Sequence, residues 1–162
     1  DWPEARIRLQ GAAVAAGCGV RPSSVNQDLQ RTPQGNLKIT YGGRPVAIQG
    51  ASFDGTRLRL SAGGIHCELE GRTDLFMDAR LGDKFEPQVK VRVKGDLVDG
   101  DSSLVVAPQP PEGAPQSDWL TVTPGAEPTD AKAPWPLQVQ GRFSVDGLPV
   151  VVDGQVQALR CR

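Results

Sequence analysis

The sequence predicts an all-β domain, an antiparallel β-sandwich or small barrel of about ten short strands. Three observations carry this expectation. The 162 residues include 19 Gly and 14 Pro, about a fifth of the chain, and in a helix interior Gly costs roughly 1 kcal/mol and Pro about 3. Several segments alternate apolar and polar residues with the period of two that a half-buried strand requires. Dipeptides that favour tight turns recur between those segments. At this length the chain amounts to one typical domain, so 1–162 is read as a single β domain.

Leu37-Lys38-Ile39-Thr40-Tyr41 is the first clear alternation, and Gly42-Gly43 ends it. Arg57-Leu58-Arg59-Leu60-Ser61 follows the turn signal Asp54-Gly55, and Gly63-Gly64 closes it. Between 72 and 81 two patterns compete. Asp74 could cap a helix, but Leu75, Met77, Ala79 and Leu81 share one face of a strand, and the strand is preferred. Gln88-Val89-Lys90-Val91-Arg92-Val93-Lys94 places its valines on one side and Lys90, Arg92 and Lys94 on the other. The basic triplet is read as the solvated face of an edge or surface strand. Further turns are expected at Asp99-Gly100, Asp146-Gly147 and Asp153-Gly154, with Leu137-Gln138-Val139-Gln140 as a strand before the last two. From about 107 to 136 prolines collect, which predicts a long loop excursion, tied to the body by a strand island at Trp119-Leu120-Thr121-Val122-Thr123.

Charge and motifs exclude more than they assign. The chain has 18 basic and 19 acidic residues, with no basic run of the kind that nucleic acid or an anionic membrane demands. It starts at Asp1-Trp2-Pro3 rather than Met and holds no apolar run of about 18 residues, which fits a processed protein of the periplasm, cell surface or medium. Cys18, Cys67 and Cys161 match no CxxC spacing. In an oxidising compartment they allow one disulfide and one thiol; in the cytosol they read as buried apolar residues.

His66-Cys67-Glu68 brings together an imidazole, a thiol and a carboxylate, yet neighbours on a strand point to opposite faces, so His66 is poorly placed to activate Cys67. No GxSxG elbow, GxxxxGK[ST] or GxGxxG is present. No cofactor is expected. Asp96, Asp99 and Asp101 crowd one loop and could hold a hard cation such as Ca²⁺, although an Asp-Gly hairpin turn explains the same residues. Trp119 and Trp135 could line a sugar-binding surface or pin the Pro-rich loop to the core.

One segment carries a family resemblance. Ile7-Arg8-Leu9-Gln10-Gly11-Ala12-Ala13-Val14-Ala15-Ala16-Gly17-Cys18-Gly19-Val20, continuing through Ser24-Val25-Asn26-Gln27, resembles the opening of chaperone-usher (type 1) pilin subunits. The resemblance implies an incomplete immunoglobulin-like sandwich completed by a strand from the next subunit. It also implies a disulfide from Cys18, with Cys67, in the strand-like Ile65 to Leu69, as its partner.

The expected function is a non-catalytic, extracytoplasmic cell-envelope protein acting through protein-protein contact, with a pilus or fimbrial-type structural subunit as its sharpest form. The alternative is a module binding a sugar or an apolar small molecule with Trp119 and Trp135 at the rim. No nucleic-acid partner and no membrane span are expected.

Overall fold

The alternating segments fold as strands because each buries one row of side chains and exposes the other. The computed structural model describes residues 35–63, 75–83, 85, 87–95, 97–98, 100–113, 117–130 and 133–161. Ten strands lie within them: β1 (Lys38–Tyr41), β2 (Arg44–Pro45), β3 (Gly50–Phe53), β4 (Arg57–Ser61), β5 (Leu75–Leu81), β6 (Val89–Lys94), β7 (Asp101–Val106), β8 (Trp119–Pro124), β9 (Trp135–Val145) and β10 (Leu148–Arg160). No helix occurs among the described residues, so the all-β expectation holds. The Leu75 to Leu81 stretch is a strand, with Met77 against Val93 and Ala79 against Val91.

Strand β10 organises the fold. On one edge it pairs with β9 from Leu148↔Val145 to Ala158↔Trp135. On the other it pairs with β1 through residues 150–153, then with β3 in parallel at Leu159↔Ser52 and Arg160↔Phe53. From β3 an antiparallel meander runs β3-β4-β5-β6-β7. The far side is β10-β9-β8, and the two ends meet at a bridge between Ala107 and Trp119. There Ala107 N–H donates to the Asp118 carbonyl at 3.1 Å and Leu120 N–H to the Ala107 carbonyl at 2.9 Å. Sandwich and small barrel therefore differ here by one bridge. Phe53, Leu58, Leu60, Met77, Val91 and Val93 from the meander pack into one core with Leu120, Leu137, Val139, Phe143 and Val145 from the other side.

Two sequence expectations are corrected. Asp146-Gly147 is a two-residue hairpin turn, with φ of 52° and 75°, the positive pair that matches strand twist. Asp153-Gly154 has the same composition but lies inside β10, with Asp153 still paired to Lys38 and Gln140. The Pro-rich 107–136 stretch is not an excursion either. Strand β8 pairs along its length with β9, so Pro108, Pro110, Pro111, Pro128 and Pro134 sit in the connections on either side of an integral strand. Residues 7–27, His66 and the Ile65 to Leu69 strand lie outside the described residues. No helix among those described is long and apolar enough to cross a membrane.

Candidate functional site

The face of β4–β7 turned away from the core gathers charged side chains from all four strands. Period-two alternation sends Leu58, Leu60, Met77, Ala79, Val89, Val91 and Val93 inward. It therefore sends Arg57 and Arg59, Asp78 and Arg80, and Lys90, Arg92 and Lys94 outward. Pairing stacks these into rows across the sheet: Arg57↔Arg80↔Lys90↔Val105 and Arg59↔Asp78↔Arg92↔Ser103. A shallow groove of about 740 Å³ lies over them.

Asp78 is the hub. Arg57 Nε donates to its Oδ1 at 2.6 Å and Arg57 Nη2 to its Oδ2, a two-pronged guanidinium-carboxylate pair. This pairing with Asp78 makes Arg57 hold its proton more firmly than an ordinary arginine. Arg59 is 8% exposed, with Nε and Nη1 lacking a hydrogen-bond partner and Nη2 3.5 Å from Asp54 Oδ2. Burial first, then the like charge of Arg57, lowers its proton affinity. Burial alone would push the Asp54 carboxyl up, but Oδ1 accepts from Thr56 N–H at 2.9 Å, Thr56 Oγ1 at 3.0 Å and Arg57 N–H at 2.8 Å. These bonds, with the charge of Arg59, outweigh burial and hold Asp54 below the usual carboxylate range. At the far edge Arg92 Nε donates to both oxygens of Asp101, at 2.7 and 2.9 Å, which raises Arg92 and lowers Asp101. That pair is open to water and adds little stability.

Removing the hub should be costly. Asp78→Ala leaves Arg57 without its two-pronged partner and removes one of the two carboxylates whose charge acts on the buried Arg59, and breaking a buried pair from one side costs about 3–5 kcal/mol. Because the Arg57 side chain is 42% exposed, we expect a smaller loss, about 2 kcal/mol, read from the midpoint of urea unfolding. Asp78→Asn should lose nearly as much; a wild-type midpoint in both variants would remove Asp78 as the hub.

The residues singled out from sequence fall elsewhere. Trp135 meets Phe53 edge-on at 5.1 Å, donates from Nε1 to the Gly125 carbonyl at 3.1 Å and lies beneath the Arg160 guanidinium. These contacts are those of a loop anchor. Trp119 pairs with Arg142, seven positions along β9 from Trp135, about 23 Å at strand rise, so the two indoles do not form one rim. Asp96 and Asp99 lie outside the described residues, and both carboxylate oxygens of Asp101 are engaged by Arg92. Among the described residues no group of three or more His, Cys, Asp or Glu could hold a metal ion.

Cys18 and Cys67 are likewise outside the described residues. Cys161, which the pilin resemblance leaves over, is buried and disulfide-bonded. The physical setting is the seam where β10 joins β3, with Cys161 N–H donating to the Phe53 carbonyl at 3.0 Å.

The chain matches no protein-family profile, no curated protein and no solved structure. Guanidinium and ammonium groups dominate the charged face, with the hydroxyls of Thr56 and Ser103 at the groove. Such a set binds by charge and hydrogen bonding. In sequence, the alternations in β4, β5 and β6 signal three charged faces, but only cross-strand register makes them one surface.

Proposed function

We propose that this chain is a non-catalytic, extracytoplasmic domain of the cell envelope that acts by contact with a protein partner, using the outward face of β4–β7. The observation that carries this reading is the company the guanidinium groups keep. Val105, on β7 at the end of the Arg57↔Arg80↔Lys90 row, is 54% exposed and lines the same groove. Arginine beside exposed aliphatic surface is what protein contact sites concentrate. The bond at Cys161 supports the extracytoplasmic assignment, since disulfides persist in oxidising compartments. A fimbrial-type subunit is the narrow form of this proposal and rests on residues 7–27.

Site-specific photo-cross-linking in the native envelope tests it. A photoreactive residue in place of Val105 should give one discrete protein adduct, and one in place of Arg142, exposed on β9, should give none. A second copy of this chain in the adduct would favour the fimbrial form. No adduct from position 105, or equal adducts from both positions, would overturn the proposal.

A further inference from the structure

Hydrogen-bonded register sets Arg57 directly opposite Arg80, and Arg80 directly opposite Lys90. Side chains so placed start about 4.5–5.5 Å apart at Cβ, and like charges there destabilise a sheet. Arg57 is compensated by Asp78, but among the described residues no carboxylate is ion-paired with Arg80. Arg80 is exposed on a face where an uncharged polar side chain would satisfy the fold without repulsion. Arg80 stands between two cations with no such compensation, and a ligand bringing negative charge to it would relieve the like-charge contact.

We propose that Arg80, set between Arg57 and Lys90, receives a carboxylate of an acidic segment of the partner protein. This rests on the reading of β4–β7 as a contact face and names the chemistry of its occupant. Charge complementarity selects an acid-bearing ligand, and the surroundings select a polypeptide over a continuous polyanion. Asp54 and Asp78 share the groove with the basic groups, and Val105 and Ser103 border them. A phosphodiester backbone presents charge at every step and would meet these carboxylates. A protein segment can set acids against the row, apolar groups against Val105 and hydrogen-bonding groups against Ser103.

The test uses the whole chain and a fluorescein-labelled decapeptide alternating Glu and Thr, read by anisotropy, with the Gln/Thr peptide as control. The Glu peptide should bind and weaken as salt rises; the Gln peptide should not bind. Arg80→Gln should weaken binding about fivefold and raise the melting temperature by about 1–3 °C, because it also removes the repulsion. Arg142→Gln should change neither. An Arg80→Gln variant with wild-type affinity, equal binding of the Gln peptide, or competition by single-stranded nucleic acid matching that of unlabelled Glu peptide would each overturn the proposal. If position 105 still gives its adduct while Arg80→Gln alters neither adduct nor peptide binding, the acidic-segment proposal fails and the contact face stands. Peptide binding lost in Arg80→Gln with no adduct from position 105 supports the charge recognition and sinks the protein partner.

Discussion

Gly154→Val should cost the protein about 3–5 kcal/mol, a loss of more than about 10 °C in melting temperature for a domain of this size. Two independent penalties meet at this position. Its φ of +130° lies where side-chain-bearing residues rarely go. A Cβ there would also stand 2.6 Å from the Asn36 carbonyl oxygen and 2.9 Å from the Leu37 Cα. Both are backbone atoms, so no rotamer change relieves the contact. Nor can the backbone easily withdraw, because Asn36 N–H donates to the Gln155 carbonyl at 3.1 Å and Asn36 Oδ1 accepts from Gln155 N–H at 2.7 Å. Gly154 follows the stretch of β10 paired with β1 and precedes the one paired with β3, so a displacement would be felt in both halves of the fold. Gly147→Ala is the control. A Cβ there meets nothing within 4 Å, leaving only the conformational penalty of positive φ, about 1 kcal/mol. Urea unfolding followed by tryptophan fluorescence distinguishes them, and equal losses for the two variants would show that the Asn36 contact is of no account.

These two glycines also mark how far the sequence could be read. Both follow Asp and both take positive φ, but Gly147 turns the chain and Gly154 lets one backbone pass close to another. A dipeptide reports the conformation it tolerates and not the use the fold makes of it. The strands were legible because burial on one face imposes a period of two, and β6 keeps it residue by residue. Strand β8 stayed half-hidden among prolines because its partner, β9, lies beyond them in the chain. The charged face was legible strand by strand and illegible as a surface. Which cation faces which depends on connection lengths and on the register shift at Leu60/Ser61. Burial of Arg59 is another consequence of assembly, since its place in an Arg-Leu alternation predicts a solvated side chain. Trp135 was legible only as an alternative between rim and anchor, because its contacts with Gly125 and Phe53 join residues far apart in the chain.

Cys161→Ser should destabilise the protein by about 2–5 kcal/mol, and reducing the wild type should reproduce the loss. Whichever cysteine partners Cys161, the bond spans on the order of 100 residues or more, and constraining so long a loop removes much of the freedom of the unfolded chain, about 4–5 kcal/mol by chain-entropy reasoning. The native side of the balance is favourable too. Cys161 is 5% exposed and follows directly on the parallel pairing of Leu159 with Ser52 and Arg160 with Phe53, so the bond fastens β10 where it is held to β3 by only two residue pairs. Alongside it, Cys18→Ser and Cys67→Ser should behave unequally. One removes the partner of Cys161 and should match the Cys161→Ser loss; the other removes a thiol and should leave the melting temperature within about 1 °C of wild type. Thiol titration of the denatured, unreduced chain should count one free cysteine. A Cys18–Cys67 bond makes the opposite demand: equal losses from Cys18→Ser and Cys67→Ser, and none from loss of a bond in Cys161→Ser. Three melting curves under identical conditions separate the two pairings, and the second pattern would return the N-terminal resemblance to pilins to its full form.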